Sequence, residues 1–366
     1  MRALLLCLTA LSLHAAGPGE VVLNVEPGKD SPRNSEGAFV TLKDGRLIFI
    51  HTQFYGGASD HSAARLVARS SADGGRTWSG EPRTVLENEG GANVMSVSLL
   101  RLQDGRLALF YLLKNSWMDC RPHVRFSSDE AATWSAPVRM TNAPGYFVLN
   151  NDRVIQLRGG RLLAPLAFHR ARGEDPDTSK SFDARAIALW LVSDDAGATW
   201  SESPQWQALP VPATRTGLQE PGVVELADGS LFSWFRTDQG LQYEARSTDQ
   251  GRTWTAVAPG PMRSPASPAS LKRLPDGSLL GIWNDHGGEF AFVAGKRTPL
   301  VAAVSRDGGH TWPVKKLLES DANGWFCYTA IHFVDDAVLL AYCAGDSKVG
   351  GLNRLRLRRL PLADLR

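Results

Sequence analysis

An eight-residue pattern, Ser-x-Asp-x-Gly-x-Thr-Trp, recurs along this chain, and its spacing constrains the fold more than any other feature. It stands at Ser71 to Trp78, Ser193 to Trp200, Ser247 to Trp254 and Ser305 to Trp312, and a fifth copy, Ser127 to Trp134, has Ala131 where the others have Gly. The aspartates, Asp73, Asp129, Asp195, Asp249 and Asp307, follow one another by 56, 66, 54 and 58 residues. A second pattern, a polar turn pair leading into an apolar run, occurs six times: Asp44-Gly45, Asp104-Gly105, Gly159-Gly160, Asp228-Gly229, Asp276-Gly277 and Asp335-Asp336. Such pairs between apolar segments are β-hairpin signals. The 35 Gly, 21 Pro and 11 Trp suit many short strands joined by tight turns.

The two patterns interleave strictly, hairpin then aspartate turn, and six such units account for nearly the whole chain beyond residue 17. The sixth unit lacks the aspartate turn but ends in an alternating strand at 352–360, while residues 21–25 read as an orphan strand. The expectation is an all-β protein, a six-bladed β-propeller whose last blade joins the N- and C-terminal strands and so removes open sheet edges. In the repeated turn, Ser and Asp oxygens accept backbone N–H bonds, and the Trp packs as a wedge between neighbouring sheets. These aspartates therefore read as fold-stabilising rather than catalytic.

Residues 1–17 have the form of an export signal: Arg2, then an apolar run, then small residues at 15–17. The run is too short for a permanent bilayer span, so residues 18–366 are expected to be one secreted or periplasmic domain without a membrane anchor, acting as a monomer. A formal charge of +2, with one basic run at Arg354 to Arg359, argues against a nucleic-acid binder. Cys120, Cys327 and Cys343 remain after Cys7; Cys327 and Cys343 flank a hairpin turn, which allows either a disulfide or two buried thiols. No zinc-protease, nucleotide-loop or serine-elbow motif occurs. The insertion at 170–182, with Glu174, Asp175 and Asp177, reads as a solvated loop over the rim of the site, with calcium binding as the alternative.

In a four-stranded antiparallel blade the hairpin turns and aspartate turns share one rim. Functional groups are then sought on the opposite rim: before the first strand, after the second and before the third. Arg33 and Glu36, Asp60 and His61, Glu220, Arg236, Arg297 and Tyr328 fall there, with Asn93, Asn150, Asn151, Asp152, His169, Arg170, Asp285 and His286 at equivalent places. Three arginines converging on one point call for an anion between them, and guanidinium matches carboxylate by paired hydrogen bonds. Near a substrate carboxylate, a neutral tyrosine approaches an anomeric carbon more readily than a carboxylate nucleophile does. Its phenol needs a neighbouring base, and the leaving oxygen needs an acid. Taken singly, each arginine reads more readily as a surface ion-pair partner, Glu220 as a loop residue and Tyr328 as a packing residue, and Asp60 as readily as a turn cap; jointly the reading reverses, because six suitable residue types fall on one rim.

The repeated turns resemble the Asp boxes, or BNR repeats, of sialidase-type propellers, and the likeness covers nearly the whole mature chain. The rim residues resemble those of the exo-sialidase family in order. The resemblance implies that Arg33, Arg236 and Arg297 bind a substrate carboxylate, that Tyr328 is the nucleophile and Glu220 its base, and that Asp60 is the acid/base. It implies an acidic glycan substrate and no metal or organic cofactor. Tyr328-Thr-Ala-Ile is similar to the family's Tyr-Ser-Asp-Leu. One departure stands out: the family follows its first Arg with Ile-Pro, whereas this chain has Arg33-Asn34-Ser35-Glu36, which adds Glu36 as a candidate substrate contact. Two other readings stay open, a hydrolase of a different acidic glycan and a non-catalytic glycan-binding propeller.

Overall fold

The computed structural model describes residues 17–365, so the expected export segment lies, except for Gly17, outside the described residues. Strand makes up 48% and helix 2% of the chain, so the chemistry must be held by strand ends and turns. Two short 3-10 helices, Ser179–Ser181 and Leu362–Leu365, are the helical segments among the described residues. No helix among them is long and apolar enough to cross a membrane.

Each hairpin forms where the turn pair stands. In the first, Leu42 N donates to Arg46 O at 2.8 Å and the Asp44 carboxylate accepts from Arg46 N at 3.0 Å. Asp104, Asp228 and Asp276 cap their turns in the same way. Unit 1 is a four-stranded antiparallel sheet of Arg33–Thr41, Leu47–Phe54, Ala64–Ser71 and Arg83–Leu86. Units 4 and 5 repeat this arrangement in consecutive order, beginning at Gln219–Glu225 and Ser270–Arg273.

The last sheet contains both chain ends, in the order Glu20–Val25, Leu355–Pro361, Ala337–Gly345, Trp325–Val334, with Val25 opposite Leu355. Units 2 and 3 depart from six separate sheets, because they share one nine-stranded sheet. The first strand of unit 3 is broken into Tyr146–Val148 and Ile155–Gln156, and the first fragment pairs in parallel with Cys120–Ser127 at Tyr146. The break coincides with Asp152 at φ 55 and with the buried Asn150 and Asn151, which leave the ladder. The first strands lie side by side: Arg33–Thr41 packs on both Asn93–Arg101 and Trp325–Val334, and Ser270–Arg273 lies between Gln219–Glu225 and Trp325–Val334.

The aspartate turns are built alike in all five copies. Ser71 Oγ donates to Asp73 Oδ1 at 2.8 Å and accepts from Gly75 N at 3.0 Å, while Thr77 N and Oγ1 donate to Asp73 at 2.9 and 2.6 Å. The Thr hydroxyl and amide hold the Asp73 carboxyl down to about 2. Each turn leans on the preceding unit: a Cβ on Gly75 would come within 2.7 Å of Leu339, and Trp254 stacks on Trp190 with ring centroids 4.2 Å apart. In the fifth copy Ala131 takes the same left-handed conformation, φ 66. The basic run near the C-terminus is neutralised within the fold: Arg354 pairs with Glu26 and Asp346, Arg356 and Arg358 with Glu319, and Arg359 with Asp336.

Candidate active site

In four units the first strand carries a bulge, and there a residue other than glycine takes a left-handed backbone: Glu36 (φ 50), Ser96 (φ 59), Glu220 (φ 45) and Tyr328 (φ 59). Such conformations cost on the order of 1–3 kcal/mol each and persist where surrounding structure imposes them. At Gly37 the bulge brings the backbone against Phe49, whose ring would lie 2.5 Å from an added Cβ. All four left-handed residues line one cavity of about 280 Å³.

Its polar wall also includes Asp60, Lys114, Asn150, His169, Gln219, Arg236 and Arg297, and its apolar wall Met95, Leu112, Val148, Phe182 and Leu352. Tyr328 OH donates to Glu220 Oε1 at 2.9 Å. Glu220 Oε2 forms an ion pair with Arg236 Nη1 at 2.8 Å, without the alignment of a hydrogen bond. Arg297 lies over the Tyr328 and Trp325 rings at 5.3 and 5.2 Å and donates to Cys327 Sγ at 3.0 Å. Burial opposes ionisation of Glu220, but Arg236 and Arg297 outweigh it and hold the carboxyl below its ordinary range. Burial, then the Glu220 charge, pushes the Tyr328 phenol well up, so it is neutral and keeps its proton, which it donates in the hydrogen bond to Glu220.

Across the cavity, Arg33 is 1% exposed and is not part of the cavity wall. It donates to Asp60 Oδ1 at 2.5 Å, Ala58 O at 3.3 Å, Ser35 Oγ at 3.3 Å and Glu36 Oε1 at 3.4 Å. Glu36 Oε2 accepts a short bond from Ser96 Oγ. Burial pushes the Glu36 carboxyl up against the opposing pull of Arg33. Asp60 behaves oppositely: burial opposes its ionisation, yet Arg33, Lys114 and His61 bring it down.

The structure thus gathers Glu36, Asp60, Glu220, Arg236, Arg297 and Tyr328 around one cavity and sets Arg33 behind Asp60 and Glu36. Of the equivalent positions, Asn150 and His169 line the cavity. Asn93 supports it through Asp60 O and Ser62 O, and Asn151 bridges Gly37 O and Tyr328 O. Asp152 pairs with Lys272 and accepts from Ile331 N. His61 stacks on Trp117 with ring centroids 3.5 Å apart and is not part of the cavity wall. Arg170, Asp285 and His286 stand apart, bonded to Asp183, Lys315 and Thr298 O. Cys327 and Cys343 face each other across the strand pair as free, buried thiols.

Sequence reasoning missed Ser96, Lys114, Tyr146 and Gln219. Ser96 carried a signal, since Glu36, Ser96, Glu220 and Tyr328 each stand eight residues before a hairpin aspartate: Asp44, Asp104, Asp228 and Asp336. A larger cavity of about 760 Å³ lies beside Phe168, Arg170, Arg172, Asp183 and Leu209. Its carboxylate, Asp183, is occupied by Arg170 and Arg172 and no tyrosine faces it, so the reactive groups converge on the smaller cavity.

Residues 53–340 match the family model described as BNR repeat-like domain. A sialidase of Micromonospora viridifaciens is 26% identical over 327 residues, covering 80% of this chain and 47% of its own length. One of Paraclostridium sordellii is 26% identical over 247 residues, covering 60% and 56%, so the chain spans about half the length of these relatives. Among solved structures, a Hadza microbial sialidase superposes with TM-score 0.71 at 20% identity, covering 92% of this chain and 67% of that one. A leech intramolecular trans-sialidase in complex with 2,7-anhydro-Neu5Ac gives 0.70 at 15% identity, covering 96% and 71%. The all-β fold is therefore that of the sialidases, and the chain belongs to the BNR repeat-like family of the sialidase superfamily.

Proposed function

We propose that this protein is an exported, monomeric exo-α-sialidase-like retaining glycoside hydrolase on a six-bladed propeller, acting on a terminal sialic acid or a related carboxylated sugar. The observation that carries this reading is the Tyr328–Glu220 hydrogen bond, 2.9 Å, between Arg236 and Arg297 and in the same cavity as Asp60. The arginines would take the sugar carboxylate. Tyr328 oxygen then attacks the anomeric carbon while Glu220 accepts its proton, and the bond to the leaving oxygen breaks as Asp60 protonates it. In the second half Asp60 takes a proton from water, which attacks the same carbon, and Tyr328 leaves with the proton returned by Glu220.

Charge supports the assignment. A neutral phenol meets no repulsion from the substrate carboxylate. That carboxylate also offsets the arginine charges which depress Glu220, so the base strengthens when substrate is bound. Buried Asn150 Nδ2 has no partner among the described residues and is a free donor for a sugar hydroxyl. Glu36 favours a second reading, a hydrolase of another acidic sugar, because it adds a carboxyl to the wall where the family has none.

The test is release of a fluorescent leaving group from an α-linked sialic acid glycoside by the wild type, Tyr328→Phe and Asp60→Ala. Wild-type turnover that Tyr328→Phe abolishes is the expected result. No turnover by folded wild type removes the sialic acid assignment.

A further inference from the structure

Arg236 and Arg297 face the cavity, but Arg33 does not: at 1% exposure it lies beneath Asp60 and Glu36, both of which do. Both terminal nitrogens of Arg33 are already engaged, Nη1 by the Asp60 carboxylate and Ala58 O and Nη2 by Ser35 Oγ and, more weakly, Glu36, while Nε is buried without a partner among the described residues. A sugar carboxylate therefore reaches Arg33 only by replacing Asp60. The main chain at Asp60 does not need to move for this. Its carbonyl accepts from both Asn93 Nδ2 at 2.9 Å and Lys114 Nζ at 2.8 Å, and both donors are buried. The Asp60 side chain, by contrast, is 57% exposed. Backbone clamped and side chain open, the one free motion is rotation of the carboxylate away from Arg33.

We propose that Asp60 is a counter-ion lock on Arg33 that the substrate's own carboxylate opens, so that the acid becomes available to the leaving group only when an anionic sugar is bound. This rests on the function proposed above and adds a specificity rule to it: a neutral sugar of the same shape leaves the lock closed. The exchange balances in charge and protons. The Asp60–Arg33 ion pair is replaced by a substrate–Arg33 ion pair, and the released Asp60 carboxylate, now beside a second anion and without its guanidinium, takes one proton from solvent. That is the proton it delivers to the leaving oxygen.

The charged and titratable groups around Asp60 are Arg33 and Glu36 from strand Arg33–Thr41, His61 beside it, Lys114 from strand Leu107–Lys114, and Tyr146. Burial brings His61 down to about 4 and pushes Tyr146 well up, so neither changes charge near pH 6. Glu36 and Glu220 are the competing sources of proton exchange, since an anion beside Arg236 and Arg297 also raises Glu220, and Glu36→Gln and Glu220→Gln remove them in turn.

The experiment is titration calorimetry of the full-length protein with the 2,3-dehydro derivative of N-acetylneuraminic acid, at pH 6 in two buffers of different ionisation enthalpy. Wild type and Glu36→Gln are expected to take up about half a proton or more per ligand bound. Asp60→Asn, with the competing charge removed, is expected to take up about half a proton fewer than wild type and to bind the probe as tightly or more tightly, and an uptake that the substitution leaves unchanged overturns the lock. Binding without proton uptake, or binding weakened tenfold or more in Asp60→Asn, overturns the lock and leaves the sialidase reading standing. No binding by wild type or by Asp60→Asn overturns the carboxylated-sugar reading, and the lock with it.

Discussion

Replacing Glu220 by Gln tests the electrostatic core of the site through stability alone. Gln keeps an oxygen for Tyr328 OH, now 2.9 Å from Oε1, but it removes the charge that faces Arg236 at 2.8 Å. The amide nitrogen, if it takes the place of Oε2, sets donor against donor. Removing one member of a buried ion pair costs about 3–5 kcal/mol, and an unsatisfied buried polar group about 1–3 kcal/mol. The two side chains are 15% and 12% exposed, so water relieves part of this and the expected loss at pH 7 is about 3 kcal/mol. At roughly 2.1 cal/mol/K of unfolding entropy per residue, that lowers Tm by about 4 °C in a chain of this length.

The pH dependence of that loss has a definite sign. The Glu220 carboxyl is held down in the folded state, so its ion pairs contribute stability above the unfolded value of about 4.3, and this is lost as pH falls through the depressed folded value. The Gln variant lacks this acid limb, and the gap between the two proteins should narrow below about pH 4. Urea and thermal unfolding followed by tryptophan fluorescence at pH 7, 5 and 3.5 measure it. A loss below about 0.5 kcal/mol at pH 7, or a gap that widens in acid, would refute the claim that Glu220 is ionised against Arg236.

Tyr328→Phe should lower turnover of a sialic acid glycoside by at least about 10³-fold while binding of a carboxylated inhibitor changes by less than about threefold, read by steady-state kinetics and calorimetry. Asp249→Ala, which deletes the acceptor for Ser247 Oγ, Thr253 N and Thr253 Oγ1, should cost about 1–3 kcal/mol in urea unfolding without changing KM, because the turn is remote from the cavity. Cys120, Cys327 and Cys343 should resist Ellman's reagent in the native protein and react in denaturant, since all three are buried and free. Fast reaction of any of them in the folded protein would contradict that burial.

The repeat carried most of the fold, because each hairpin and aspartate turn closes its own hydrogen bonds within a few residues and needs no distant partner. Where local rules weaken, the reading weakened with them. Unit 3 was expected to match the others, but Asn151 bonds to Gly37 O and Tyr328 O of units 1 and 6 and Asp152 to Lys272 of unit 5 instead of a ladder, and the strand breaks. Six of the seven assigned site residues line one cavity because rim position follows from strand order. What strand order does not give is depth: Arg33 and Glu36 stand three residues apart on one strand, yet the bulge turns Glu36 into the cavity and leaves Arg33 behind it. Lys114 and Tyr146 were not legible, since their approach depends on packing between units 2 and 3, which share a sheet only through the broken strand.

Pairing of Glu20–Val25 with Leu355–Pro361 sets an order on biosynthesis. Glu20–Val25 finds its partner only after residues 26–354 have been made, so the units between wait as an array whose outer flanks are uncovered. Until Glu20–Val25 docks, Leu355–Pro361 is an edge, and it carries Arg356, Arg358 and Arg359; charged edges of this kind resist pairing with stray strands. Glu20–Val25 works as a latch fastened once Leu355–Pro361 has been made. A cut between residues 25 and 33 would free that latch while leaving every residue of the cavity wall attached to the main body.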